Sequence, residues 1–290
     1  MNTCRLSLGV KLTGSLVIAL LLLGNTSCEK NNITDDDEVV LTPPIIEPKY
    51  ELAWSDEFDG TTLDMTKWNY DVGYNFWGNF EQENYQAANI SVNDGHLNIL
   101  AKKQTLASAP ASGYTSGRIN TLNKYEFTYG KVEARMKVPK SKGLWPAFWM
   151  LGVNMRTRGN VPGVSWPACG EIDILETINT EVWASAAAHW AMSNGLHTSV
   201  GNKRNLADPT DYHVYSIVWN KESIKWYVDD VFYNGLWIKD GTASTSEFHL
   251  PFNIILNLAV GGEWPGQIID ETKLPATMLV DYVRVYKEVQ

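Results

Sequence analysis

Glu171, Asp173 and Glu176 fall within the single stretch CGEIDILETIN, residues 169–179. Ile172, Ile174 and Leu175 between them are residues of a strand that belongs in a core. Three carboxyls held this close cannot all ionise freely, so their protons are shared out by environment. A carboxylate that keeps its charge can attack an electrophilic carbon. A carboxylic acid that keeps its proton can release a leaving oxygen and then act as base on water. The chain therefore carries the parts for acid/base and nucleophilic chemistry within six residues.

The spacing constrains how those parts are held. On a regular strand side chains alternate, so Glu171 and Asp173 share a face with residue 175, not 176. Residue 175 is Leu, and the third acid comes one position late. A β-bulge at Ile174–Leu175 would place two residues opposite one and return Glu176 to the acidic face. Glu171 and Glu176 would then behave as residues four apart, roughly 13 Å between Cα atoms at about 3.3 Å per residue. With both side chains leaning inward, the carboxyls come to roughly 5–6 Å, near the ~5–5.5 Å of retaining glycosidases and short of the inverting range. That spacing implies double displacement, and an acidic salt-bridged patch is the competing structural reading.

The elements that must position these acids read as strands. Period-two alternation recurs in GHLNILAKK (95–103), YGKVEARMKVP (129–139), HVYSIVWN (213–220), SIKWYVDDVFY (223–233), FNIILNLAV (252–260) and MLVDYVRVY (278–286). Asp229–Asp230 marks a hairpin turn. Helical periodicity is scarce, and no βαβ rhythm or internal repeat is present. The expectation is an all-β antiparallel sandwich over residues 49–290, with one concave face forming a substrate cleft.

Composition narrows the ligand. The chain has 290 residues, 44% hydrophobic, with 12 Trp and 13 Tyr. Such aromatics fill a core or line a cleft whose ring faces stack on the apolar faces of sugars. A formal charge of −9 argues against a nucleic-acid partner, whose phosphates call for basic residues.

The N-terminus reads separately. Residues 1–27 look like a leader: Arg5 and Lys11 precede the apolar run LVIALLLL, Leu16 to Leu23, too short for a span needing roughly 20 apolar residues. GNTSC then resembles the lipobox of bacterial lipoproteins, which would make Cys28 the lipidated first residue of the mature chain. Asn25 departs from the Leu usual in that motif, so ordinary secretion remains open. Residues 28–48 are acidic and Pro-punctuated, the composition of a tether, and the acidic run resembles a surface-export signal of such lipoproteins. The expected location is the outer membrane or cell surface, with the membrane met only through the lipid; periplasm or secretion is the alternative. With Cys4 in the leader and Cys28 lipidated, Cys169 has no disulfide partner and reads as a small buried hydrophobe.

Further motifs accompany the acids: WGNFE (77–81), YTSGRINT (114–121), YGKVEARMKVPKSKGLWPAFWMLG (129–152), WPACGEIDILE (166–176), GGEWPG (261–266) and VDYVRVY (280–286). Together, in this order, they resemble the laminarinase-like branch of glycoside hydrolase family 16. The resemblance implies a β-jelly roll and a retaining endo-glucanase acting on β-1,3- or mixed β-1,3/1,4-glucan. It implies Glu171 as nucleophile, Glu176 as acid/base and Asp173 as their assistant. By the same resemblance Asn79, Glu81, Arg118, Trp145, Trp149, Trp166, His189 and Trp264 line the cleft and meet sugar. ASAAAHWAMSNGLH (184–197) departs from a more Gly-rich family stretch, which leaves the neighbouring subsites open.

No cofactor is expected for catalysis. The resemblance implies a structural Ca²⁺ held by Glu57, the Gly95 carbonyl and Asp281, oxygen ligands of the kind Ca²⁺ takes; ordinary surface acids are the alternative. The chain is expected to act as a monomer on a β-glucan. Two other readings stay open: the same chemistry on another polysaccharide such as agar, and a non-catalytic glycan-binding lipoprotein.

Overall fold

In a computed structural model, the structure describes residues 48–104, 113–155, 163–239 and 245–289. The leader, Cys28 and all but the last residue of the tether lie outside the described residues.

Seventeen strands are seen among the described residues. In chain order they are β1 (Lys49–Asp56), β2 (Asn69–Tyr70), β3 (Glu83–Tyr85), β4 (Ile90–Asn93), β5 (His96–Lys103) and β6 (Tyr114–Ser116). There follow β7 (Arg118–Asn120), β8 (Gly130–Lys137), β9 (Leu144–Gly152), β10 (Glu171–Glu176), β11 (Trp183–Ala191) and β12 (His197–Asn205). The last are β13 (His213–Trp219), β14 (Ser223–Val228), β15 (Val231–Trp237), β16 (Phe252–Val260) and β17 (Ala276–Val289). The hairpin expected at Asp229–Asp230 joins β14 to β15. Both Asp residues have positive φ, 50° and 60°, as the central positions of a tight two-residue hairpin turn require.

The strands form two sheets. One runs β15-β14-β13-β8-β17-β5-β6-β3, with β1 on β17 and β4 on β5; only β3 and β6 pair in parallel. The other runs β12-β11-β10-β9-β16-β7-β2. Their inner faces meet in a single apolar cluster holding Ile99, Val132, Ile217 and Trp226 from the first sheet and Phe148, Ile172, Ala186 and Leu256 from the second. This is the expected all-β antiparallel sandwich.

Alternation on the second sheet separates core from cleft. On β11, Ala184, Ala186 and Ala188 point into the core, while Ser185, Ala187 and His189 line a cleft on the outer face. On β9, Phe148 and Met150 are in the core; Trp145, Ala147 and Trp149 line the cleft. The three small Ala side chains on β11 leave room for larger core residues opposite.

β10 departs from this rhythm where the acid spacing said it must. Asp173 stands opposite Ala187 and Glu176 opposite Ser185, so β10 advances three residues while β11 advances two. Against β9 the same break falls between Asp173 and Leu175. Ile174 and Leu175 are both fully buried. Two successive side chains entering the core are what carry Glu176 back to the cleft face.

The other sheet pins the break. Trp226 on β14 is buried, and its indole Nε1 donates to the Asp173 carbonyl oxygen at 2.8 Å. Trp226→Phe removes that donor while keeping an apolar ring. It should cost about 2–3 kcal/mol in urea unfolding and lower kcat. A loss under about 0.5 kcal/mol would mean that this hydrogen bond does not hold the bulge.

Candidate active site

The cleft across the second sheet has a volume of about 1220 Å³. Glu171, Asp173 and Glu176 line its floor, and all eight residues expected to meet sugar also line it: Asn79, Glu81, Arg118, Trp145, Trp149, Trp166, His189 and Trp264. They arrive from β7, β9, β10 and β11 and from the loops before β3, before β10 and after β16.

The acids are not equally shut in. The Asp173 side chain is 4% exposed and that of Glu171 18% exposed. His189, directly opposite Glu171 in the β10–β11 register, places Nε2 3.2 Å from Asp173 Oδ2 and 4.0 Å from Glu171 Oε1. The Trp145 indole donates to Glu176 Oε1 at 2.9 Å. Asp173, and at a longer distance Glu171, thus face an imidazole, while Glu176 is held by an indole.

Burial dominates the protonation of all three. It pushes Glu171 well above the usual carboxylate range; the Asp173 charge adds to this, while His189 and a hydrogen bond from Trp166 oppose it. It raises Asp173 to about 8. Glu176 is also raised to about 8, by burial first and Asp173 second, against the pull of Trp145 and His189. Three desolvated carboxyls around one spot keep fewer than three negative charges near neutral pH. Such a site holds protonated and ionised carboxyls side by side.

Several cleft residues turn out to be committed to one another. Arg118 donates Nε to Asp71 Oδ2 at 3.0 Å, and its guanidinium lies 4.9 Å from the ring centres of both Trp77 and Trp149. The group expected to bind sugar hydroxyls is therefore a buried clamp between two indoles. Glu81 accepts from Asn79 Nδ2 at 3.1 Å and from the Tyr85 hydroxyl at 3.0 Å. Tyr85 accepts from Asn257, and Asn257 accepts from the Trp149 indole at 2.7 Å. Glu81 thus orients Asn79 and anchors a chain of bonds under the cleft floor. Beneath it, burial and the Glu81 charge push fully buried Glu83 far above the usual range. Trp166 and Trp264 are 42% and 37% exposed, leaving aromatic surface for a ligand.

Sequence reasoning passed over Trp77, Asp71, Asn120 and Asn257, all of which line the cleft. Trp77 stands two residues before Asn79, and Asn120 follows Arg118 at the strand period of two, so local signals were present for both. Asp71 and Asn257 are placed by cross-strand pairing, and no local pattern marks them.

The expected Ca²⁺ ligands do not fit a cation site. Glu57 receives both Nε and Nη2 of Arg284, at 3.0 and 2.7 Å. Asp281 accepts from Arg135 at 2.6 Å and has His96 Nε2 at 4.0 Å. Two arginines satisfy the two carboxylates in separate ion pairs, and Gly95 lies in the β4–β5 turn with φ 72°. Among the described residues, neither of these carboxylates is left without a cationic partner.

A β-sandwich with clustered, partly protonated carboxyls on the floor of an aromatic-walled cleft defines a carbohydrate-cleaving class of protein. Residues 77–284 match the model for glycosyl hydrolases family 16, and the chain belongs to that family. It is 37% identical to a glucan endo-1,3-beta-glucosidase A1 of Niallia circulans, over 95% of this chain but only 44% of that protein. A beta-glucanase of Rhodothermus marinus is 40% identical over 84% of this chain and 87% of its own length. The laminarinase catalytic domain of Thermotoga petrophila superposes with a TM-score of 0.74 at 38% identity, covering 84% of this chain and all of that one.

The raised carboxyls set a pH dependence of stability. Asp173 and Glu176 rise from 3.8 and 4.5 to about 8, so between about pH 4 and 8 the native state binds more protons than the unfolded chain. Stability then falls as pH rises through that window. Glu176→Gln keeps an oxygen for Trp145 and cannot ionise. It should unfold at higher temperature than the parent at pH 8, with the gap closing toward pH 4. A lower Tm than the parent at pH 8 would mean the Glu176 carboxylate is favourably held.

Proposed function

We propose that the chain is a retaining endo-β-glucanase that hydrolyses β-1,3- or mixed β-1,3/1,4-glucan. The observation that carries this reading is the return of Glu176, by the bulge, to the face that holds Glu171 and Asp173 under open tryptophan rings. Relatives bearing glucanase and laminarinase names point the same way.

In this reading Glu171 attacks the anomeric carbon while Glu176 gives its proton to the departing glycosidic oxygen. A covalent glycosyl-enzyme results. Glu176, now ionised, takes a proton from water, and the activated water frees the sugar with its β-configuration restored. Asp173 lies between the two and, through His189, adjusts which of them holds charge. Both nucleophile and proton donor are carboxyls of the chain, so the reaction needs no cofactor. Trp166 and Trp264 offer ring faces for the sugars, and Asn79, oriented by Glu81, offers an amide to their hydroxyls.

Reducing-sugar release is tested on laminarin, barley β-glucan, agarose and xyloglucan. Laminarin and barley β-glucan should be cut; release from agarose alone would move the reading to galactan, and no release from any would end it. Glu171→Gln should lower kcat by roughly 10³-fold or more with binding retained. Proton NMR should show a β-anomer as first product. Because Glu176 must be protonated to act, kcat/KM should fall as pH rises through about 8.

We also propose that the mature chain is a monomeric lipoprotein, anchored by Cys28 to the outer membrane or cell surface and reaching its polymer on the 28–48 tether. The lipobox-like GNTSC and the acidic Pro-punctuated stretch support this. Cys28→Ala should move the protein from the membrane to the soluble fraction. Unchanged membrane association would overturn the anchor.

A further inference from the structure

His197, at the start of β12, is no part of the catalytic reading above. It stands opposite Ala191 in the β11–β12 register, and His189 stands opposite Ser199, so the two imidazoles are diagonal neighbours on one face. His189 Nδ1 and His197 Nε2 are 3.0 Å apart. On its other side His189 Nε2 lies 3.2 Å from Asp173 Oδ2. Three groups, Asp173, His189 and His197, thus form one continuous line of contacts from a carboxyl that is 4% exposed to an imidazole at the exposed rim. The Trp166 ring closes over the outer end, 4.7 Å from His197 and 6.1 Å from His189 between centres.

We infer that His197 is a positioning residue, the solvent end of a two-imidazole proton relay that sets the proton on Asp173. The inference rests on the proposed glycosidase reading of the same cleft. In one state of the relay, Asp173 carries its proton on the Oδ2 that faces His189 Nε2, a 3.2 Å contact that a small turn of the side chains brings into hydrogen-bond alignment, and His189 donates Nδ1–H to His197 Nε2. Discharge moves the Asp173 proton onto His189 Nε2, moves the His189 Nδ1 proton onto His197 Nε2, and releases the His197 Nδ1 proton to water. No bond other than N–H and O–H changes, and the net result is one proton passed from Asp173 to solvent. Asp173 is left as a carboxylate accepting from His189.

The surroundings suit the task. A relay imidazole must be neutral to accept a proton, and burial followed by the neighbouring His189 lowers His197 below the ordinary imidazole range. Asp173, raised to about 8 by burial, holds a proton that is exchangeable near neutral pH. The titratable groups acting on the pair from the adjacent strand are Glu171, Asp173 and Glu176 on β10, and all three act on His189. The nucleophile's charge vanishes and returns once per double displacement, and Asp173 beside it is the group whose proton must adjust.

Three variants separate relay from packing. His197→Phe keeps a ring against Trp166 and removes both nitrogens; His197→Ala leaves space; His197→Gln keeps a polar group at the same reach. The relay predicts that H197F lowers kcat about 5- to 50-fold with KM for laminarin within twofold of the parent, and shifts the pH–kcat profile. It predicts that H197A regains activity with added imidazole, in proportion to its concentration, and that H197F does not. ¹⁵N NMR of the ring nitrogens should show the His189 titration altered in H197F and nearer the parent in H197Q. A parental kcat and pH profile in H197F, a rise in KM alone, or an unchanged His189 titration would each overturn the relay. Because the NMR readout requires no turnover, it tests the relay even if the glycosidase reading fails, and Glu171→Gln tests that reading separately.

Discussion

Everything at the floor of the cleft depends on Ile174 and Leu175 entering the core together. A strand offers every second residue to a given face, which would send Glu176 to the side opposite Glu171 and Asp173. Apolar burial holds the exception in place. Both side chains are fully buried, and straightening the strand would carry Leu175 toward the cleft and Glu176 into the core. Exposing a Leu costs about 1.5–3 kcal/mol, and burying an unpaired carboxyl costs more. The same hydrophobic force that makes the sandwich therefore fixes the acid geometry, and Trp226 reaches across from the opposite sheet to hold the backbone at the break.

Gathering the acids has an electrostatic consequence. Each carboxyl is raised by desolvation, and Asp173 and Glu176 reach about 8. At neutral pH this supplies a proton donor that a solvated Glu would not retain. In the proposed reading it also opposes ionisation of the nucleophile Glu171, which must carry charge. His189 and the Trp166 hydrogen bond both act on Glu171 in the lowering direction, while Trp145 acts on Glu176. Chemistry and stability pull apart here: the desolvation that prepares the acid lowers the stability of the native state as pH rises.

Much of this was legible in the sequence because it follows from period and type. Alternation gave the sandwich, and the misplaced acid at 176 located the bulge to the residue pair. The cleft residues carried by motifs all line the cleft. Their roles were less legible, since a role depends on partners from distant strands. Arg118 reads as a hydroxyl donor, and its pairing with Asp71 and its seat between two indoles follow only from the fold. Glu57 and Asp281 read as calcium ligands until Arg284 and Arg135 are found holding them. His197 is invisible locally, because its contact with His189 exists only through the β11–β12 pairing.

That pattern divides the polar residues by what burial permits. Arg118 and Glu81 are 7% and 3% exposed, and a charged group so enclosed must be satisfied within the protein. Asp71 takes one of the five donors of Arg118, and Asn79 and Tyr85 each take one oxygen of Glu81, so both side chains are oriented from within the protein. Nearer the rim, Trp166 and Trp264 keep a large fraction of their surface open. Ring faces there gain from covering apolar sugar C–H surface and give up no internal bond. In the proposed reading the rigid lower layer fixes where the acids and the Asn79 amide point, and the open upper layer holds the polymer. Affinity and catalysis are thereby assigned to different depths of one cleft.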